Sequence, residues 1–187
     1  MGRIQVRNGR SKDGRAFVIR NVRPDEGAAI LAYADHIDRT SEHNLTQPGE
    51  RAMTLEQEHD WLQKNLDDDR SLVIGAYEGD QLVGFMNFKG NERRRIAHHG
   101  IFGISVRQDR RGQGIGAELI RVLLDWAEAS PMIEKVCLEV FEANAHGRAL
   151  YRKMGFVEEC RRHKAIKLEN GAYVDDILMS VWVKRPG

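Results

Sequence analysis

The sequence contains little cysteine and no long apolar run. Only two of its 187 residues are cysteines, Cys137 and Cys160, and their spacing fits neither a Cys-x-x-Cys pair nor a metal-binding cluster. This excludes a disulfide-rich secreted scaffold, and we expect two buried free thiols. No apolar stretch approaches the roughly 20 residues that a membrane-spanning helix needs, and the N-terminus lacks the apolar core of a secretory signal. We therefore expect a cytoplasmic protein without a membrane partner.

The sequence also lacks an excess of charge of either sign. Its 29 Lys and Arg residues balance 28 Asp and Glu residues, which gives a net charge of +1. Proteins that bind nucleic acids through overall charge usually have a clear basic excess, so no nucleic-acid partner is expected. With 41% hydrophobic and 30% charged residues, the chain can form both a core and a solvated surface. Its length predicts one domain over residues 15–187, preceded by a polar, flexible N-terminal arm at 1–14.

Hydrophobic periodicity and turn signals predict a mixed α/β domain in the order β-α-α-β-β-β-α-β-α-β-β. Thr54 and Gln57 form a capping box at the start of the second helix. The helix at 113–128 joins two strands as a βαβ crossover. The predicted helices are 26–39, 55–66, 113–128 and Asn144–Met154, and the predicted strands are Arg15–Val22, Ser71–Tyr77, Gln81–Lys89, Ile96–Val106, Lys135–Phe141, Phe156–Lys167 and Tyr173–Val183.

The glycine-rich segment that opens the third predicted helix carries the strongest functional signal. It reads Arg111-Gly112-Gln113-Gly114-Ile115-Gly116 and follows a strand and a short polar turn. Glycines let the backbone approach a ligand closely, and the first turn of a helix offers unpaired N–H groups to anions. The pattern therefore predicts a phosphate-binding loop.

Two common phosphate-binding motifs fit this loop poorly. A Walker A loop requires Gly-Lys followed by Ser or Thr, and here Gly116 is followed by Ala117. The spacing Gly112-x-Gly114-x-x-Ala117 formally fits a dinucleotide-binding fingerprint. However, five polar residues separate it from the strand, and the chain after Glu142 is too short to complete a doubly wound sheet.

The loop and a second motif together resemble the GNAT family of acetyl-CoA-dependent N-acetyltransferases. Residues 111–116 match the acyl-CoA signature (Q/R)-x-x-G-x-(G/A) of that family. The second motif, an asparagine followed by Leu-Tyr and Gly-Phe pairs, reads Asn144, Leu150-Tyr151 and Gly155-Phe156. The resemblance covers about residues 16–183 and implies a central, mostly antiparallel sheet with flanking helices and a βαβ acetyl-CoA site. It also implies acetyl transfer to a primary amine of a small molecule or peptide.

The resemblance further implies how acetyl-CoA is held. The N–H groups of Arg111, Gly112, Gln113, Gly114, Ile115 and Gly116 would bind the pyrophosphate, with Arg110 or Arg111 adding positive charge. The strand edge at Ile104, Ser105 and Val106 would pair with the pantetheine amides, and the Val106 N–H would face the acetyl carbonyl. Asn144 would hydrogen-bond the pantetheine arm, cap the short helix that follows it, or do both.

Three side chains are candidates for acid–base catalysis under this resemblance. Tyr151 matches the tyrosine that acts as general acid for the departing thiolate, and its alternative role is aromatic packing. His98 falls where other members carry a catalytic glutamate, and its alternative role is that of a polar residue near an exposed strand start. Glu139 on the next strand is the second candidate base. No further ligands lie at metal-site spacing from His98, so no metal is expected.

The region between Asp25 and Asp60, which forms the acceptor pocket in this family, is acidic. Its carboxylates would attract a cationic amine such as a polyamine, an aminoglycoside or a basic N-terminus, or they form a solvated helix face. The segment contains two basic residues, Arg39 and Arg51. Its nine acidic residues are Asp25, Glu26, Asp35, Asp38, Glu42, Glu50, Glu56, Glu58 and Asp60.

Direct transfer of the acetyl group from acetyl-CoA to the amine is expected, because no cysteine lies beside the glycine loop to carry the acetyl group. The alternative to an enzyme is a catalytically silent module that binds or senses acyl-CoA. The resemblance also implies a homodimer, for which the apolar segment Val174–Val183 is a candidate surface.

Overall fold

The computed structural model describes residues 2–184, in which eight strands form one mixed sheet flanked by four α-helices. This confirms the predicted fold class. The strands are β1 (Arg7–Arg10), β2 (Ala16–Asn21), β3 (Ser71–Glu78), β4 (Gln81–Gly90), β5 (His99–Val106), β6 (Lys135–Phe141), β7 (Val157–Lys167) and β8 (Tyr173–Trp182), and the helices are α1 (Gly27–Thr40), α2 (Leu55–Asp67), α3 (Ile115–Ala129) and α4 (Ala145–Lys153).

The one parallel strand pair shapes the site. The sheet order is β1-β2-β3-β4-β5-β6-β8-β7, and every described neighbouring pair is antiparallel except β5 and β6, which α3 connects. These two strands pair only over His99–Ile101 and Lys135–Cys137. Beyond Ile101 they separate, so no strand of the described chain lies beside the second half of β5 on that side. The separation leaves an opening at the carboxyl ends of both strands.

Two hydrophobic clusters cover the two faces of the sheet. Alternation along β3 sends Leu72 and Ile74 to the cluster under α3, and Val73 and Tyr77 to the cluster under α1 and α2. The apolar stripe of α3 is buried, which explains its strong helical periodicity. The helices therefore lie on both faces of the sheet and frame the opening between β5 and β6.

The capping box predicted at the start of the second helix is confirmed. The Gln57 N–H donates to Thr54 Oγ1 at 3.2 Å, and the Thr54 N–H donates to Gln57 Oε1 at 2.9 Å. Within residues 2–184, no helix is long and apolar enough to cross a membrane.

The N-terminal arm and one of the cysteines differ from the expectations. The segment 1–14, predicted as a polar, flexible arm, contains β1, which pairs with β2 from Arg7 to Arg10. Its charged side chains show no hydrophobic pattern, but backbone pairing does not require one, and the Arg7 guanidinium bonds Asp125 at 2.6 Å. Of the two cysteines, Cys137 is buried as expected, whereas Cys160 is exposed on β7.

Candidate active site

The free edge of β5 is the first component of the site. The Arg107 N–H donates to the Val83 carbonyl at 3.0 Å, on the β4 side. Because backbone groups alternate sides along a strand, the N–H groups of Ile104 and Val106 point the other way, where β6 no longer pairs. The Tyr33 hydroxyl of α1 donates to the Ser105 carbonyl at 3.0 Å and ties the helix to this edge. The edge is thus held in place and open to an extended ligand.

The glycine loop is built to receive an anion. Gly112 and Gly114 have φ values of 75° and 93°, and Gly114 is the N-cap of α3. No heavy atom beyond their chain neighbours lies within 4 Å of the place where a Cβ would stand on either glycine. The loop therefore leaves space in front of the first N–H groups of α3, where anions bind.

Two residues of the loop face away from this space. Gln113 accepts the Lys12 N–H on its carbonyl oxygen at 3.1 Å, and its side-chain oxygen accepts the Asp13 N–H at 3.1 Å. Ile115 is buried in the core. Only the backbone of these two residues is available to a ligand.

The neighbouring Arg110 and Arg111 have different surroundings. Arg110 is 5% exposed and bonds Glu78 and Asp13, which raises the pKa of the guanidinium and lowers that of the Asp13 carboxyl. Arg111 is exposed and donates from Nε to the Val106 carbonyl at 3.1 Å. The positive charge at the loop therefore belongs to Arg111, while Arg110 anchors the segment before β2.

Asn144 has the capping geometry expected from the sequence. Its Oδ1 accepts the Gly147 N–H at 2.8 Å at the start of α4. Its amide nitrogen has no hydrogen bond to any described residue, and Asn144 faces the opening beside Ile104. The side chain can therefore cap the helix and still donate to a ligand.

Tyr151 lies at the inner end of the same opening. The residue is 8% exposed and its ring lies edge-on to Phe102, with centroids 6.2 Å apart. Burial raises the pKa of its phenol to about 12. The hydroxyl thus holds its proton at neutral pH and has no hydrogen-bond acceptor among the described residues.

The two predicted bases lie in different places. Glu139 faces the opening and pairs with Arg162 at 2.6 Å. His98 lies in the turn before β5 rather than on the strand, and its ring stacks on Trp182 with centroids 6.1 Å apart. Since a strand rises roughly 3.3 Å per residue, His98 is far from the glycine loop that follows the other end of β5. The structure does not bring it into the cavities described next.

Three cavities meet at β5. A helix-side cavity of about 370 Å³ lies between α1, α2 and β4, a central cavity of about 580 Å³ lies between the separated ends of β5 and β6, and a loop-side cavity of about 700 Å³ lies beside the glycine loop. Ile104 and Asn44 line all three. The central cavity contains Glu139 and Tyr151, and the loop-side cavity contains Arg111 and Gly112.

Only two of the nine acidic residues flagged in the sequence line the helix-side cavity, namely Asp38 and Glu58. Several of the others are paired with arginines outside it, as Asp35 is with Arg39 and Glu26 is with Arg20.

Sequence reasoning missed Tyr33 and Asn44. Tyr33 sits on the apolar stripe of α1, which indicated only core packing, and the loop position of Asn44 carried no signal.

Comparisons with known proteins bear on the family and the fold. The family model described as acetyltransferase (GNAT) family matches residues 35–156. An L-amino acid N-acetyltransferase of Escherichia coli, AaaT, is 30% identical over 108 residues, which are 58% of this chain and 65% of that relative, slightly less than two thirds of its length. A GNAT-family acetyltransferase structure from Streptococcus pneumoniae has a TM-score of 0.86 at 24% identity and covers 89% of this chain and 99% of its own.

A second solved structure includes a ligand. YncA from Salmonella typhimurium, solved with acetyl-CoA, has a TM-score of 0.79 at 16% identity and covers 91% of this chain and 96% of its own. At these identities the two structures establish a shared fold. Among the residues that the structure describes, no group of three or more His, Cys, Asp or Glu side chains is arranged to hold a metal ion.

Proposed function

Because the chain belongs to the acetyltransferase (GNAT) family, we propose that it transfers the acetyl group of acetyl-CoA directly to a primary amine of a small molecule or peptide. The observation that supports this best is the meeting of the three cavities at Ile104 on the unpaired edge of β5. The loop-side cavity suits an anion and the helix-side cavity suits a cation. Holding both substrates at one strand edge supplies much of the rate of a two-substrate reaction.

Acetyl-CoA is assigned to the loop-side and central cavities. Its pyrophosphate accepts hydrogen bonds from the backbone of the glycine loop, and Arg111 supplies the positive charge. The pantetheine arm pairs with Ile104 and Val106 as an added strand and receives a hydrogen bond from the Asn144 amide. The resemblance assigns the acetyl carbonyl to the Val106 N–H, but Val106 lines only the loop-side cavity and Tyr151 lines only the central one. The N–H of Ile104, a residue that lines both cavities, therefore polarises this carbonyl. The free strand edge, the open glycines and the unused amide hydrogens all support this assignment.

Tyr151 is assigned as the proton donor to the departing thiolate. Its phenol is protonated at neutral pH, lines the central cavity and lacks a competing acceptor among the described residues. Glu139, the second base candidate of the sequence, lines the central cavity, where its carboxylate pairs with Arg162 at 2.6 Å.

Transfer without an acetyl-enzyme is supported by the positions of the cysteines. Cys137 pairs with Ile101 where β5 and β6 are still joined, and burial raises the pKa of its thiol. A buried thiol with a raised pKa is a poor nucleophile. Cys160 lies on β7, outside all three cavities.

We also propose that the protein forms a homodimer and that β7 is the dimer interface. The apolar side chains of β8 that suggested an interface, Ile177 and Met179, are buried in the core instead. β7 is the edge strand of the sheet, and its side chains are almost all exposed. Analytical ultracentrifugation tests this assignment, since a monomer at micromolar concentration contradicts it.

The function is tested by two measurements on the same preparation. Calorimetry measures acetyl-CoA binding, and free thiol release is followed against a panel of amines, polyamines, aminoglycosides, amino acids and short peptides. Amine-dependent thiol release is expected. Binding without release by any amine favours a silent acyl-CoA-binding module, and failure to bind acetyl-CoA contradicts the assignment of the loop.

A further inference from the structure

Glu58 has a buried carboxylate for which the described residues provide no direct partner. It lies on α2, is 4% exposed and lines the helix-side cavity. Among the described residues, no hydrogen bond or ion pair reaches its carboxylate. Buried charged groups are normally paired or hydrogen-bonded, because leaving one uncompensated is costly. A side chain of this kind calls for a ligand that supplies the missing partner.

The other carboxylate of the cavity is already satisfied. Asp38 accepts hydrogen bonds from Asn44 Nδ2 at 2.6 Å and from Arg51 Nε and Nη2 at 3.1 and 3.3 Å. The charges of Asp38 and Arg51 therefore cancel. The remaining titratable group that lines the cavity is Tyr33, and because burial raises the pKa of its phenol to about 12 it is uncharged. An ionised Glu58 thus leaves the cavity with one negative charge.

The rest of the cavity wall is mostly apolar and partly aromatic. Trp61 and Phe85 are half-buried and face the same space as Ile30 and Met53. Aromatic and aliphatic walls favour a carbon skeleton over a chain of further charged or polar groups. The cavity also opens at Gly103, Ile104 and Ser105, on the β5 edge assigned to the acyl donor.

We propose that Glu58 binds the ammonium group of the acceptor and takes its proton, and that the acceptor is a singly charged primary amine on a compact apolar skeleton. This rests on the proposed function, because it assigns the second substrate of the same reaction. It excludes polyamines and aminoglycosides as preferred acceptors, since the cavity offers one unpaired negative charge. It also disfavours a free amino acid, whose carboxylate would face a cavity in which Arg51 already pairs with Asp38.

The proton transfers balance with Glu58 as the base. The ammonium loses one proton to Glu58, and the neutral amine forms a C–N bond to the acetyl carbon. The C–S bond then breaks, the thiolate takes the Tyr151 proton, and Tyr151 recovers a proton from the nitrogen that becomes the amide. Glu58 releases its proton to solvent. The net products are the acetylated amine, free CoA thiol and one proton.

The proposal is tested first by acceptor choice. The probes are phenethylamine and phenylalaninamide as single cations, phenylalanine as a zwitterion and spermidine as a polycation. We expect higher kcat/KM for the two single cations than for phenylalanine or spermidine. A preference for phenylalanine or spermidine overturns the proposal.

The second test removes the charge of Glu58. Glu58→Gln is expected to lower kcat/KM for phenethylamine by roughly 10²–10⁴-fold, the range for loss of a general base. Glu56→Gln, an exposed carboxylate on the same helix, is the matched control and is expected to leave the rate unchanged. If Glu58→Gln keeps the rate, or if His98→Ala causes the large loss instead, Glu58 is not the base.

A binding measurement separates this role from a structural one. Phenethylamine and its neutral analogue 2-phenylethanol are titrated into the enzyme–CoA complex, in which no transfer occurs. The native protein is expected to prefer the ammonium, and Glu58→Gln is expected to lose that preference while it still binds CoA. An unchanged preference contradicts the proposal. If instead the native protein neither binds acetyl-CoA nor releases thiol with any amine, that result contradicts the proposed function itself.

Discussion

The ring of Tyr151 lies edge-on to the ring of Phe102, with centroids 6.2 Å apart, at the point where β5 has just left β6. Phe156 contacts both rings, so an aromatic cluster holds the tyrosine, and no described residue forms a hydrogen bond with its hydroxyl. This arrangement fixes the ring while leaving its hydroxyl free to donate a proton in the central cavity.

Removal of this hydroxyl is expected to affect the rate and not the fold. Tyr151→Phe keeps the ring packing and should lower kcat by roughly 10²–10⁴-fold, as for loss of a general acid. The melting temperature should stay close to that of the native protein, because no hydrogen bond between the hydroxyl and a residue within 2–184 is lost. Tyr173→Phe, which changes an exposed phenol on β8, is the control. Unchanged kcat in Tyr151→Phe would leave the tyrosine a packing residue only.

A Cβ at the glycine loop is expected to weaken acetyl-CoA binding. Gly114→Ala places a side chain at a φ of 93°, which costs about 1–2 kcal/mol of stability and intrudes on the space in front of α3. Gly171→Ala imposes a similar strain at a φ of 82° in the β7–β8 hairpin, away from the site. Calorimetry should show reduced acetyl-CoA affinity only for Gly114→Ala. Equal affinities in both variants would contradict the assignment of the loop.

The two adjacent arginines should give opposite phenotypes. Arg110→Ala removes the buried guanidinium that bonds Glu78 and Asp13 and leaves these carboxylates only the longer ion pairs with the exposed Arg15. It should lower the free energy of unfolding by about 2 kcal/mol. Arg111→Ala should leave thermal stability unchanged and weaken acetyl-CoA binding roughly tenfold or more. The difference in acetyl-CoA affinity between Arg111→Ala and the native protein should be smaller at high salt, since screening already weakens the contact of Arg111 with the pyrophosphate in the native protein. The reverse pattern, measured by thermal melts and calorimetry, would show that the roles are exchanged.

Much of the fold was predictable because its signals are local. The capping box at Thr54, the apolar stripe of α3 and the Asn170-Gly171 turn each depend on a few neighbouring residues, and the structure contains the elements they predict. The glycine loop was predictable for the same reason.

The relations that define the site are not local. The separation of β5 from β6 depends on pairing across the sheet, and the different surroundings of Arg110 and Arg111 depend on Glu78 and Asp13, which are distant in sequence. Counting residues along a strand placed His98 on β5, whereas the strand begins one residue later. The acidic composition of the first two helices was visible, but the burial of Glu58 follows only from the packing of α2 against α1.

The buried carboxylate also predicts how stability depends on pH. Burial raises the pKa of Glu58, with Arg51 opposing the shift, so the folded protein keeps this proton to a higher pH than the unfolded chain does. Between the two pKa values the folded state binds more protons, and the free energy of unfolding therefore falls as pH rises. The Glu58→Gln variant lacks the titrating carboxylate, so its free energy of unfolding does not fall for this reason. Its gain in melting temperature over the native protein should be larger at about pH 7 than at about pH 4, and an equal or smaller gain at the higher pH would contradict the assignment.

Direct transfer requires both substrates to be bound at the same time, and initial-rate kinetics test this requirement. Thiol release and acetylated amine are measured together while acetyl-CoA and phenethylamine are varied. We expect equal amounts of the two products and intersecting double-reciprocal lines, because both substrates must be bound before the acetyl group moves. Parallel lines, or a burst of thiol before any amine is added, would indicate an acetyl-enzyme and contradict direct transfer.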